Sequence, residues 1–169
     1  MTTSKKIALC GILAALALGL SLLESLLPLQ LLIPLPGVRL GLGNVVILTA
    51  LYLLGAPAAL ATLLCRVAVL YLITGNATAL FMSLCGGLLS LLAMAAAHRL
   101  PRLFSIYGVS LLGAAFHNVG QILAARLLLG SWNIVYYLPL LLCAGLITAP
   151  IIAALVPQKI SDFFGTPLH

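Results

Sequence analysis

The chain has 169 residues, 64% of them hydrophobic and 6% charged. At that ratio a water-soluble globule has too little polar surface to cover itself, so soluble enzymes and soluble binding modules are excluded and most of the surface must face lipid. The formal charge of +6 rests on basic residues scattered among helix ends and apolar runs, with no clustered strip or interleaved aromatics, which argues against nucleic acid as a partner.

At roughly 20 residues per span, this length is expected to hold one bundle of about six transmembrane helices and nothing else. A β-barrel would alternate apolar and polar residues, whereas residues 7–23 and 80–97 are apolar on every face. The expected fold is an all-α integral membrane protein, one transmembrane domain over residues 1–169. Its spans are read at about 7–27, 44–54, 57–74, 78–97, 107–129 and 134–156.

The first span follows Lys5 and Lys6 and exceeds the apolar length of a cleaved signal peptide, so it is expected to be retained. Gly11, Ala15 and Gly19 recur every four residues along it and form a smooth stripe. Such a stripe lets another helix approach closely, whether from a partner or from the same chain. Glu24 lies near the end of this span. Residues 28–43 then bring Pro28, Pro34, Pro36, Gly37, Gly41 and Gly43 together with Arg39. This irregular backbone cannot face lipid, and it is expected as an extracellular cap or a re-entrant segment.

The second span, opening at Asn44, is short. In the third, Arg66 stands nine residues beyond Pro57, near the bilayer midplane. A charge there costs roughly 3 kcal/mol on insertion scales, so it needs a partner or a task. One reading is a buried ion pair with Glu24, the only acidic residue in any span. The other is a cationic wall facing an anionic ligand. Arg39, Arg66 and Arg126 all map to the middle or outer half, and Glu24 can neutralise only one of them. A guanidinium surplus suits carboxylate or phosphate, although Arg126 is close enough to a helix end to snorkel.

His98, Arg99 and Arg102 follow the fourth span. In a six-span reading they share one side with Lys5, Lys6 and Lys159, which the positive-inside rule makes the cytoplasm, with both termini there. In the fifth span His117 and Gln121 are spaced i, i+4 on one face, with Asn118 beside them. Three hydrogen-bonding side chains at mid-depth must turn inward, as glue between helices or as readers of a polar ligand group.

No further histidines or acids stand near enough to complete a metal site, and no cofactor is expected. The four cysteines, Cys10, Cys65, Cys85 and Cys143, have no Cys-x-x-Cys spacing and are expected as buried packing residues. No nucleophile elbow, phosphate loop or acid pair is present, so no catalytic residue is assigned. Magnesium-dependent prenyl transfer would need clustered aspartates, and the only aspartate is Asp162 in the polar tail 157–169.

Three stretches carry a resemblance: Pro36-Gly37-Val38-Arg39-Leu40-Gly41-Leu42-Gly43-Asn44, Gly86-Gly87-Leu88-Leu89-Ser90, and Ser110 to Gln121, in which His117-Asn118-x-x-Gln121 follows Ser110-x-x-Gly113-Ala114. They resemble the bacterial family labelled heptaprenyl diphosphate synthase component I, also called the Gx transporter family, over nearly the whole chain. In length, span count, small-residue first helix and Pro-Gly cap the chain is also similar to the substrate-binding subunits of energy-coupling factor transporters.

That resemblance implies a multi-pass protein of the bacterial cell membrane that captures a small anionic or amphipathic compound, linked to quinone, isoprenoid or flavin metabolism. Together with the polar residues singled out above, it gives Arg39, Asn44, Arg66, His117, Asn118 and Gln121 as the expected binding residues. Gly11, Ala15 and Gly19 would dock a transmembrane coupling protein with its ATPases. The alternative is a non-catalytic accessory subunit that anchors or feeds a soluble polyprenyl diphosphate synthase, with Arg99 and Arg102 as its binding patch.

Overall fold

Glycine and polar caps punctuate the apolar runs and set where each helix stops. A computed structural model describes residues 3–26 and 38–146. Within them run α1 (Thr3–Ser25), α2 (Asn44–Leu54), α3 (Ala56–Thr74), α4 (Ala77–His98), α5 (Ile106–Leu129) and α6 (Trp132–Leu146), whose first turns, Trp132–Tyr137, are a 3-10 helix. Asn76 caps α4 by accepting the Ala79 N–H at 2.9 Å, and Ser105 caps α5 by accepting the Gly108 N–H at 3.3 Å. Residues 28–37 of the expected cap, the end of the sixth span beyond 146, and the tail with Lys159 and Asp162 lie outside the described residues.

The fold is all-helical among the described residues, and α1, α3, α4 and α5 are each long and apolar enough to cross a membrane. With 11 residues, α2 rises only about 16 Å, half of the roughly 30 Å hydrocarbon core. It nevertheless holds the centre, touching α1, α3, α4 and α5. Ile47, Leu48, Ala50 and Leu51 pack there against Leu63, Val67 and Met94. Tyr52, near its end, lies against the His98 ring at the last residue of α4, with centroids 4.4 Å apart. The helix therefore fills the half of the bundle that ends at the basic residues His98, Arg99 and Arg102. Its first residue is left near mid-depth, where polar groups and irregular backbone occupy the rest of the centre.

The most extensive helix contact joins α4 and α5. It depends on Gly120, where a Cβ would stand 2.7 Å from the Gly86 Cα and 2.8 Å from the Cys85 carbonyl oxygen. Both obstacles are backbone, which cannot swing aside. Gly120→Ala is therefore expected to force the two helices apart at a cost of about 1–3 kcal/mol, read as a lower melting temperature in mild detergent.

The cysteines differ from expectation: Cys10 and Cys85 are half-buried, but Cys65 and Cys143 are exposed on outward helix faces. In lipid an outward face is as apolar as the core, so hydrophobic flanks do not imply burial. Burial also decides which positions can test the topology by labelling. Arg39 is buried beside α5, whereas Asn76 is exposed in the α3–α4 turn. In a cysteine-free background, Lys6→Cys and Arg102→Cys are expected to react with an impermeant thiol reagent from one side of the membrane, and Asn76→Cys from the other. Reaction of all three from one side would overturn the alternating arrangement of α1, α3 and α4.

Candidate functional site

Just before α2, residues 38–43 form non-helical backbone that is largely buried among the helices. At this depth water does not complete the hydrogen bonding, so side chains must do it. The Gln121 side chain, fully buried, takes the place of a neighbouring strand: its Oε1 accepts the Arg39 N–H at 3.1 Å and its Nε2 donates to the Arg39 carbonyl at 2.8 Å. Those two bonds fix the amide orientation. The second Nε2 proton then points at His117 Nε2, which accepts it, so the ring proton resides on Nδ1.

Glu24, on the last turn of α1 and 2% exposed, accepts the Gly41 N–H through Oε1 at 2.6 Å. Gly41 has φ +83°, and a Cβ there would press to 3.0 Å on both Asn44 Nδ2 and His117 Cδ2. Only glycine meets both conditions, the left-handed backbone and the missing volume.

Arg66 enters from the middle of α3 and is 3% exposed. Its Nη2 donates to Ser83 Oγ on α4 at 3.4 Å. Its guanidinium lies in the space that the absent side chain of Gly43 leaves, where a Cβ would collide with Nη1 and come to 3.0 Å from Ser21 Oγ. Glu24 is close enough to interact electrostatically with both Arg39 and Arg66, but it makes no direct ion pair with either. Its carboxylate is engaged by the backbone instead, so the Glu24–Arg66 contact pair considered from the sequence is replaced by one carboxylate facing two arginines across a short gap.

Several polar atoms at this focus find no hydrogen-bond partner among the described residues. They are Arg39 Nη1, Arg66 Nε, His117 Nδ1, and both Asn44 Oδ1 and Nδ2. A narrow crevice, without room for a water molecule, runs from Arg39 and Ser83 past Val67 and Tyr71 to Thr74 and Asn76 at the α3–α4 turn. Among the described residues no three histidine, cysteine or acidic side chains gather where a metal could be held.

Arg39, Asn44, Arg66, His117 and Gln121 thus converge on one buried cluster. Asn118 points elsewhere: one residue on from His117 is about 100° around the helix, and its Nδ2 donates to the Leu141 carbonyl of α6 at 2.7 Å. Arg126 also leaves the cluster and stacks on the Trp132 ring, 3.4 Å from its centroid. Trp132→Leu is expected to cost about 0.5–1 kcal/mol of stability, measurable as a small fall in melting temperature that salt does not reproduce.

Ser83 and Ser21, absent from the sequence-based list, complete the surroundings of Arg66. A signal for Ser83 did exist. Arg66 and Ser83 stand nine and eight residues either side of Gly75, so an antiparallel α3–α4 hairpin places them level.

The stripe residues Gly11, Ala15 and Gly19 are all exposed, and a Cβ at Gly11 or Gly19 would meet nothing within 4 Å. Of the two readings of the stripe, packing against a helix of the same chain is not what the described residues show.

No curated protein and no solved structure matches the chain, so the likeness to energy-coupling factor subunits gains no support from these comparisons. Residues 13–158 match the family profile described as heptaprenyl diphosphate synthase component I, a match that takes in both buried arginines, the Gly41–Asn44 turn and the His117–Gln121 face; the chain belongs to that family.

Proposed function

We propose that the chain is a non-catalytic membrane subunit that captures a small anionic compound, with Arg39 and Arg66 holding its charged group. One observation carries this reading: two buried arginines face a single carboxylate already engaged by Gly41, while Arg39 Nη1, Arg66 Nε and both polar atoms of the nearby Asn44 amide have no partner among the described residues. Each such buried group costs about 1–3 kcal/mol, which an anion accepting from the guanidinium groups would recover. His117 and Gln121 act behind the site by holding the Arg39 backbone in place. An uptake role would further require an energised coupling protein, for which the exposed Gly11–Ala15–Gly19 face is the available docking surface.

Mass spectrometry of small molecules that co-purify in mild detergent tests the reading. An anionic compound is expected with the native protein and not with Arg66→Met, which keeps a long apolar stem but no charge. Equal recovery from both would remove Arg66 from the site.

The family description favours a second reading, because a component implies a partner: an accessory subunit bound to a polyprenyl diphosphate synthase. Arg99 and Arg102, exposed between α4 and α5, are the surface for it. On that reading a soluble synthase co-purifies, and charge reversal at the two arginines releases it.

A further inference from the structure

Along the stripe, α1 and α3 leave a groove of about 230 Å³ on the outer face of the bundle. Gly11, Ala14, Ala15 and Leu18 form one wall, Cys65 and Val69 the other, and Arg66 closes it at the inner side. From Gly11 to Leu18 the groove extends about 10 Å along the helix axis. An arginine at its base, almost wholly buried and with Nε unpartnered among the described residues, is out of place in a groove otherwise made of apolar groups.

The groove is therefore the open route to Arg66: the crevice at the α3–α4 turn, lined in part by polar residues, has no room for a water molecule, while the groove measures about 230 Å³ and opens sideways between two apolar helices. This route opens onto lipid. A fully hydrated ion would gain nothing from it, because the hydration shell would have to be lost against apolar walls. A molecule with an apolar chain gains on both counts: the chain fills the groove, and the charged end reaches Arg66.

We infer that the compound bound by this subunit is a single-chain amphipathic anion, its chain lying in the α1–α3 groove and its head group meeting Arg66 from the bilayer side. The inference rests on the anion-capture reading and adds the chemical class and the route of entry. The occupant is one chain wide, since the groove lies between only two helices, and its charge is set by the surplus of Arg39 and Arg66 over Glu24.

The test uses the whole protein in nanodiscs of zwitterionic lipid and compares dodecyl phosphate with methyl phosphate, which carries the same head without the chain. Dodecyl phosphate is expected to bind at least about tenfold tighter, a modest demand when each buried CH2 contributes about 0.8 kcal/mol. Cys65→Trp, which fills the groove from the α3 side, is expected to abolish that advantage. Leu72→Trp, an exposed position on the same helix outside the groove, is expected to leave it unchanged.

If dodecyl phosphate keeps its advantage in Cys65→Trp, or if dioleoyl phosphatidate displaces it at equal concentration, the single-chain groove is wrong while anion capture survives. If neither phosphate binds, or binding is indifferent to Arg66→Met, anion capture falls and the groove inference with it.

Discussion

Gln121→Leu is expected to destabilise the protein severely, at a cost of about 3 kcal/mol or more. The side chain meets three separate needs: the Arg39 N–H, the Arg39 carbonyl and the His117 ring nitrogen. Leucine matches its volume closely enough that no large cavity forms, so the penalty is almost purely that of buried polar groups left unmet, about 1–3 kcal/mol each. Set against a typical total stability of 5–15 kcal/mol, that loss leaves a marginal protein. The measurement is the melting temperature in detergent, followed by ligand affinity for whatever remains folded. Unchanged stability with lost affinity would mean that the amide reads a ligand directly and is not a clamp on the segment before α2.

Glu24→Gln is expected to have two opposed effects. Glutamine keeps an oxygen that can accept the Gly41 N–H, so local geometry is retained, but Arg39 and Arg66 lose the one negative charge that faces them. Removing one member of a buried charge set typically costs about 3–5 kcal/mol, and the lower end applies here because no direct ion pair exists. The same change removes the competitor of any bound anion. Saturating dodecyl phosphate should therefore raise the melting temperature of the variant more than that of the native protein, since a ligand at a hundred times its dissociation constant contributes about 2.7 kcal/mol and its affinity has risen. An equal or smaller rise in the variant would separate Glu24 from the anion site.

Helix positions were legible because lipid enforces them. The second helix runs over residues 44–54 as read, bounded by Gly43 and Gly55; α3 and α5 begin one residue before the reading and end where it put them, and α4 is one residue longer at each end. The inward direction of Arg66, His117 and Gln121 was legible for the same reason: nothing polar at mid-depth can face outward.

Partner choice was not legible. That Gln121 holds the backbone of Arg39, 82 residues earlier, depends on where an irregular segment threads between helices, and no periodicity encodes that. Likewise, the angular offset that turns Asn118 toward Leu141 while His117 faces the cluster becomes decisive only once α6 is in place. An ion pair was one of two readings of Glu24 and Arg66 because charge counting ignores backbone donors, and a buried N–H at Gly41 is the nearer demand.

The half-length of α2 has an electrical consequence. Its N-terminal end, with the aligned peptide dipoles that place about half a positive charge there, stands near the middle of the low-dielectric slab and not at an interface. Along the membrane normal, a position at mid-depth sees about half of the voltage drop. A full drop of 100 mV is worth about 2.3 kcal/mol per elementary charge, so each charge bound at the head of α2 exchanges about 1 kcal/mol with the membrane potential. The sign depends on the side of entry, which makes occupancy of this position a function of how far the cell is energised, even with no moving part in the protein.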